Sequence, residues 1–222
     1  MKPYYSDEYV TLYHADCRDG LADAIAELPS AFCFTDPPYN VGMDYGKWND
    51  EMADAAYLEF CRQWIDTIKA GCQEVCIYPP RKYLLDYWNM LGKEYRQIVL
   101  TWSPEGAIRG GFVNQHAQLL TNAKPKQRTK DHWHGMQMRG MGYFFRENDY
   151  GHPGYTSEDL TTKALVSLAS SEQVVIEPFS GTGTTLRCAK NLGRKAIGFE
   201  VNEAYCEIAS NRMAQMILPL AV

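Results

Sequence analysis

The segment Asp36-Pro37-Pro38-Tyr39-Asn40 combines a carboxylate, two rigid prolines and an aromatic ring. It follows the apolar run Ala31-Phe32-Cys33-Phe34, which predicts that it lies where a strand leaves a sheet. Such residues can grip a planar, NH2-bearing group from its edge and its face together. An exocyclic amine on a nucleobase is a poor nucleophile, because its lone pair is delocalised into the ring. Two acceptors aimed at its two hydrogens favour tetrahedral geometry and stabilise the positive charge that develops during attack. Asp36 is one candidate acceptor, and the backbone carbonyl of Pro37 or Pro38 is the other. Proline fixes φ and restricts the residue before it, so the direction of that carbonyl is set. Tyr39 offers a ring face for stacking, worth about 1–3 kcal/mol per base. An ordinary surface turn has a similar composition, so a second motif is needed to decide.

That motif lies near the other end of the chain. Val174-Val175-Ile176 is a β-branched run typical of a buried strand, and it leads into Glu177-Pro178-Phe179-Ser180-Gly181-Thr182-Gly183-Thr184-Thr185. Residues 186–193 read as a helix ending at Gly193, and residues 195–200 as the next strand, closed by Glu200. Strand, glycine turn, helix, strand and terminal acid make up the nucleotide-binding half of a Rossmann-like sheet. The glycines let the backbone approach a ligand, and Glu200 is placed to accept hydrogen bonds from ribose hydroxyls. The third glycine of a dinucleotide fingerprint is missing, as is the lysine of a triphosphate loop. A loop bearing Ser180, Thr182, Thr184 and Thr185 suits a smaller polar group, such as the amino-acid end of S-adenosylmethionine. Its carboxylate would gain from the helix N-terminal amides. Glu177 or Asp36 could accept from its ammonium, and Phe179 or Tyr39 could face its sulfonium by cation–π attraction.

Taken together, the two motifs resemble those of the amino-group DNA methyltransferases. The closer resemblance is to their β group, where the Asp-Pro-Pro-Tyr segment precedes the cofactor glycines. Ala15-Asp16-Cys17 is similar to the family's opening, and His152-Pro153 to the segment before its cofactor loop. The continuation Gly154-Tyr155-Thr156-Ser157 departs from the family's usual Thr-Gln-Lys-Pro, and only Thr156 and Ser157 match weakly. The resemblance implies a Rossmann-like methyltransferase domain over residues 1–222, with Asp36, Pro37, Pro38 and Tyr39 as catalytic residues. It implies a cofactor site of Asp16, Cys17, Asp36, Glu177, Phe179, Ser180, Gly181, Thr182, Gly183, Thr184, Thr185 and Glu200. Asp before Pro-Pro-Tyr resembles the adenine-N6 members more than the cytosine-N4 members. Cytosine-N4 and RNA adenine substrates stay open. Two other classes are a nicotinamide oxidoreductase, disfavoured by the missing glycine, and a non-catalytic nucleic-acid binder on the same fold.

The net charge of −5 is unusual for a DNA binder, but distribution counts for more than the total. Lys124, Lys126, Arg128, Lys130 and Arg139 fall in one segment, interleaved with Trp133, Tyr143, Phe144 and Phe145. The segment has three glycines and little periodicity. Residues 124–145 are expected to be a long irregular excursion that faces double-stranded DNA, the main part of an insertion at about residues 104–150. Scattered histidines and seven cysteines without metal-like spacing call for no metal site and suit reduced thiols. No apolar segment follows Met1-Lys2-Pro3-Tyr4-Tyr5-Ser6 and no run could span a bilayer, so a cytoplasmic protein without membrane contact is expected. The apolar tail, residues 216–222, suits either a homodimer interface or core packing.

These motifs need a frame to hold them. The expected fold is α/β, a doubly wound, mostly parallel Rossmann-like sheet with helices on both faces. Its strands are read near 12–17 and at 31–35, 75–78, 97–102, 174–176 and 195–200, with a further one between 114 and 124. Helices are read at 20–28, 52–70, 83–91, 157–169, 186–193 and 202–214. In the second of these, Ala55, Leu58, Ile65 and Ile68 are read among the apolar positions. Residues 40–50, with Gly42 and Gly46, suit a mobile flap over a substrate.

Overall fold

The computed structural model describes residues 1–45, 48, 50–101, 116–126, 130–134 and 156–215. Strands β1 (Tyr5–Ser6), β2 (Val10–His14) and β3 (Ala31–Thr35) come first, with helix α1 (Leu21–Ala26) before β3. Helix α2 (Asp54–Gly71), strand β4 (Glu74–Ile77), helix α3 (Leu84–Leu91) and strand β5 (Arg96–Thr101) follow. Strands β6 (His116–Thr121) and β7 (His132–His134) precede helix α4 (Glu158–Leu168). Strand β8 (Val174–Glu177), helix α5 (Thr184–Asn191), strand β9 (Ala196–Glu200) and helix α6 (Glu203–Ala214) complete the described chain.

All nine described strands join one sheet, in the order β1-β2-β9-β8-β3-β4-β6-β5-β7. The block β2, β9, β8, β3 and β4 is parallel. Strand β6 runs antiparallel to both β4 and β5, so β5 points the same way as the parallel block, and β7 pairs parallel with β5. Helices cover both faces, as a parallel sheet requires. On one face α4, α5 and α6 place Leu160, Leu165, Leu186 and Ala209 against Phe32, Phe34 and Val175. On the other, α1, α2 and α3 place Ile25, Trp64, Ile68 and Leu91 against Cys33, Ile77 and Ile176. Successive residues of β3 therefore alternate between two cores, and the strand is buried throughout. That is why it reads as an unbroken apolar run rather than an alternating one.

Local chemistry sets the helix ends. Ser157 caps α4, its Oγ accepting from the Leu160 amide at 3.2 Å, and Asn202 caps α6 through the Ala204 amide at 3.0 Å. The buried stripe of α2 is Tyr57, Phe60, Cys61, Trp64, Ile65 and Ile68, a helical repeat of three and four. Ala55 is exposed and Leu58 only half-buried, so the large aromatic residues and not the small aliphatic ones carry this face. Helix α5 starts two residues earlier than its sequence pattern suggests, because Gly183 takes a left-handed φ of 82° and serves as its N-cap. A Cβ at Gly183 would also come within 2.9 Å of the Ala209 Cβ. The close approach at this glycine is therefore to α6.

The largest departure concerns residues 104–150. Strand β6 falls where a strand is expected, between 114 and 124, but residues 132–134, expected to be irregular, form β7, and both strands lie in the sheet. Trp133, read as a DNA-facing aromatic, is 1% exposed and sits in the core beneath the Lys163 ammonium, 5.1 Å from its ring centre. Arg128, Arg139, His152, Pro153 and the 216–222 tail lie outside the described residues. Since Trp133 is packed on all sides, Trp133→Ala is expected to cost about 3–5 kcal/mol of stability by urea denaturation. An unchanged midpoint would put the indole at the surface.

Candidate active site

Strands β3 and β8 are parallel neighbours, with Cys33 opposite Ile176. The chain leaves β3 toward α2 on one face and leaves β8 toward α5 on the other. Open α/β sheets bind ligands at such a switch, beyond the carboxyl ends of the strands. One contact bolts the two ends together: Thr35 donates to Glu177 Oε1 at 2.5 Å. The same edge carries the other motif residues in spatial order. Asp16 follows β2, Glu200 ends β9, Glu177 and its loop end β8, and Asp36 follows β3. Residues 20 to 184 positions apart in the chain thus line four adjacent strand ends.

Asp36 is held from one side. The Thr156 hydroxyl donates to its Oδ2 at 2.5 Å, while Oδ1 is buried and accepts no hydrogen bond among the described residues. Burial pushes this carboxyl up to about 6, against the Thr156 and Tyr39 hydroxyls, which pull it back. Tyr39 stacks beside Tyr78, with ring centres 6.3 Å apart and planes at 24°. The Pro38 carbonyl already accepts from the Tyr57 hydroxyl at 2.7 Å. Tyr57 in turn meets the Tyr87 hydroxyl at 3.0 Å, so a buried phenol chain props the Pro-Pro turn from below.

The segment after Tyr39 is pinned at its base. Asn40 takes a left-handed φ of 54°. Asp50 accepts from the amides of Asn40, Val41 and Met43 at 2.7, 3.0 and 3.1 Å. The Asn40 side chain donates to Met52 O and to the Tyr83 hydroxyl. Further out, the Tyr45 carbonyl accepts from Asn202 at 2.9 Å, so the segment crosses from β3 to the β9 end of the edge. The flap reading therefore needs correcting at residues 40–43, which are tied by a carboxylate and not loose.

The hydroxyls of the glycine loop turn inward. Thr185 donates to Glu177 Oε2 at 2.8 Å, and Ser180 donates to the Glu177 carbonyl at 3.3 Å. Thr182 and Thr184 are buried and face the guanidinium of Arg212, which donates to the Thr182 carbonyl at 2.6 Å and approaches the Thr184 hydroxyl at 3.3 Å. Arg212 is itself 5% exposed and pairs with Glu158 at 2.9 Å. Helix α5 carries no side-chain cap, so its first-turn amides are the groups suited to an anionic ligand. The Phe179 ring packs against Trp64 and Phe60, at 5.2 and 6.0 Å between centres. Glu177 is 3% exposed, and burial pushes its carboxyl up to about 8 despite hydroxyls from Thr35 and Thr185 and the Phe179 amide.

Glu200 accepts from the Gly181 amide at 2.8 Å and the Asn202 amide at 2.7 Å, and burial raises its pKa. It thus fastens the glycine loop to the end of β9. Asp16 is partly desolvated, yet a two-pronged contact from Arg18, at 2.7 and 3.0 Å, holds its pKa low. Cys17 is buried, and burial drives its thiol far up.

The basic residues are divided. Lys126 pairs with Glu74, the first residue of β4, at 2.9 Å, and its amide donates to Ser167 O. That is the amino edge of the parallel sheet, opposite Asp36. Lys124, two residues earlier and exposed, follows the end of antiparallel β6 on the same side. Lys130 leads into β7, its carbonyl accepting from the Trp133 indole at 3.0 Å. Sequence reasoning missed Thr156 as a partner of Asp36, and also Asp50, Tyr57 and Arg212. Of these only Arg212 left a trace, since it falls on the buried repeat of α6 with Cys206, Ala209 and Met213.

The profile of the DNA methylase family, of N6/N4 type, matches residues 31–74 and 81–211. The type II methyltransferase M.HinfI of Haemophilus influenzae is 37% identical over 267 aligned positions, covering 97% of this chain and 71% of that protein. M.HpaI of Haemophilus parainfluenzae is 26% identical over 81% of this chain. The chain spans 66% of M.HpaI and 59% of M.BamHI of Bacillus amyloliquefaciens. Among solved structures, the M1.HpyAVI–SAM complex superposes with a TM-score of 0.64 at 19% identity, covering 92% of this chain and 99% of that one. The cytosine-N4-specific PvuII DNA methyltransferase does so with 0.66 at 14% identity, covering 98% and 90%. With a family match over most of its length and a relative above 30% identity, the chain belongs to the N6/N4 DNA methylase family.

Proposed function

We propose that the chain is a site-specific DNA methyltransferase that moves the methyl group of S-adenosylmethionine to the N6 amine of a flipped-out adenine. The observation that carries this reading is the buried Oδ1 of Asp36, without a hydrogen-bond partner among the described residues and one strand away from an uncapped helix N-terminus in a family of DNA methylases. A lone buried acceptor costs free energy unless a ligand donor meets it. An N–H of an exocyclic amine is such a donor. Pro38 already has a donor at its carbonyl, so Pro37 is the better second acceptor. Tyr39, backed by Tyr78, supplies the stacking face. Extruding a base costs about a few kcal/mol, which stacking and these bonds offset. Asp36 needs to be ionised for this role. It orients the amine and is placed to take the proton as the nitrogen becomes cationic.

The residues present suit the cofactor. The first-turn amides of α5 would take its carboxylate, and Glu177 or Asp36 its ammonium. Glu200 and Asp16 keep their places at the β9 and β2 ends for the ribose and adenine, although backbone amides and Arg18 already occupy much of their capacity. Of the loop, Ser180, Thr182, Thr184 and Thr185 shape the backbone, and Gly181 and Gly183 let it turn. Bound there, S-adenosylmethionine supplies a methyl group on a positively charged sulfur. For DNA, Arg139 is a better candidate than Lys124, Lys126, Arg128 and Lys130, which all fall in the stretch between β6 and β7. Thr101, His116, His134 and Thr156, the described residues on either side of 102–115 and 135–155, flank or end strands at the Asp36 edge or contact Asp36 itself. Among the described residues no helix is long and apolar enough to cross a membrane.

Cytosine N4 presents the same amine to the same acceptors, so the identity of the product decides between the two bases. Unmethylated genomic DNA incubated with protein and cofactor, then digested to nucleosides, is expected to yield N6-methyladenine. N4-methylcytosine would overturn the choice of base, and no methylated nucleoside would overturn the activity. Asp36→Ala is expected to slow transfer by at least about 100-fold with cofactor affinity nearly unchanged. Near-normal transfer by this variant would remove Asp36 from the chemistry.

Glu177 gives a test that needs no DNA. With its folded pKa at about 8, it is mostly protonated at neutral pH, and a bound cation favours the ionised form. Cofactor binding at about pH 7 is therefore expected to release a fraction of a proton. Calorimetric heats should vary with the ionisation enthalpy of the buffer, and Glu177→Gln should abolish the variation. Buffer-independent heats for the unaltered protein would take Glu177 away from the cationic end.

A further inference from the structure

We infer that Thr156 is a positioning residue for the transfer step, holding the Asp36 carboxylate ionised and turned so that Oδ1 faces the substrate amine. This rests on the proposed function above and adds a residue to it. Asp36 lies on the turn after β3, whereas Thr156 stands immediately before the cap of α4, 120 residues later in the chain. Thr156 is 6% exposed, and its neighbour Ser157 fixes the backbone by accepting from the Leu160 amide and, through its carbonyl, from the Thr161 amide. The hydroxyl is therefore held by a helix start and not by a free side chain. It occupies Oδ2 and leaves Oδ1 as the remaining acceptor.

The division of labour between the two oxygens has a physical reason. A carboxylate free to rotate would offer either oxygen and present its charge off the line of the amine. A hydroxyl donor on one oxygen fixes the plane of the group and favours its charged form against desolvation. Of the ionisable groups that bear on Asp36, the Tyr39 hydroxyl also favours the charged form, but it belongs to the same turn and itself titrates. Glu177, at the end of β8, is an acid and interacts with Asp36 as a like charge. Tyr45, on the segment that crosses the edge, and Tyr39, on the turn itself, are phenols raised by burial and by Asp36. Thr156 is a donor that does not itself titrate, so the pH dependence of its effect is that of Asp36. A Thr→Val exchange removes the donor while keeping the shape.

Two readouts test the inference. Single-turnover methyl transfer by the unaltered protein should fall as pH drops through about 6, where Asp36 becomes protonated. In Thr156→Val this acid limb should move up by about one pH unit, because a hydrogen bond to a charged acceptor shifts ionisation by roughly tenfold. Transfer should then be about fivefold slow at pH near 6 and recover to within about twofold above pH 8.5. Thr156→Ser should restore the normal limb, and S-adenosylmethionine affinity should stay within about twofold in both variants. The second readout needs no substrate. The infrared carboxyl band of Asp36, assigned by difference against Asp36→Asn, should titrate about one unit higher in Thr156→Val than in the unaltered protein. Thr156→Ala serves in the same way if the valine variant fails to fold. Superimposable titrations, or a serine variant as impaired as the valine one, would overturn the inference. A product other than N6-methyladenine would overturn the adenine assignment while leaving the infrared comparison to decide Thr156.

Discussion

The site depends on one constraint: β3 and β8 must lie side by side and parallel, so that the chain emerges from both at the same point and leaves in opposite directions. The Thr35 hydroxyl donating into Glu177 is the local form of that constraint. Thr35 is fully buried and Glu177 nearly so, and a carboxyl with both oxygens engaged by Thr35, Thr185 and the Phe179 amide leaves little room for slippage between the strands. A shift of β3 by one residue would exchange its two faces, sending Phe32 and Phe34 into the layer now packed by Cys33. Core packing thus fixes register, register fixes Thr35 against Glu177, and this contact fixes Asp36 relative to the glycine loop.

Burial then gives the two acids different characters. Both are driven up by desolvation, but Asp36 has an oxygen aimed away from protein donors, whereas Glu177 is enclosed by them. At neutral pH the first favours its charged form and the second its neutral form. A doubly charged pair so close in a low-dielectric setting would repel strongly, and staggered ionisation avoids that. Under the proposed function, the first would accept from a substrate amine and the second would gain charge as the cationic cofactor arrives. Pairs of acids separated in this way by their surroundings are a recurrent device of active sites.

Much of this was legible in the sequence, and the limits have physical causes. Strand β3 was read with its observed bounds because it is buried on both faces and ends at prolines. The glycine loop and Glu200 were legible because turn, cap and strand follow in close succession. The inward orientation of Ser180, Thr182, Thr184 and Thr185 was not, since a hydroxyl in a glycine loop looks the same whether it faces a ligand or Arg212. Thr156 and Asp50 were invisible as partners, because each acts across the fold and neither lies in a periodic run. Strand β7 spans three residues and exists through its pairing with β5, so no repeat of two could reveal it. Trp133 was misassigned for the same reason: among lysines and glycines an aromatic residue reads as a surface contact, and only the sheet shows it as core.

The division of the basic segment bears on how an acidic chain can approach DNA. A net charge of −5 repels a polyanion at long range, so attachment requires local positive charge at the edge where Asp36 opens. Lysines at the opposite edge do not serve that end, and Lys126 is partly neutralised by Glu74. Among the described residues Lys124, Lys126 and Lys130 all follow antiparallel β6 and precede β7, so none of them stands at the carboxyl end of a strand beside Asp36. Strand β7, parallel to β5, carries the chain toward the Asp36 edge only after Lys130, and His134 is its residue level with Thr101. Any account of DNA docking must start from the strand directions and not from the run of charges, because in a sheet the distance between two lysines is set by which way the intervening strand points.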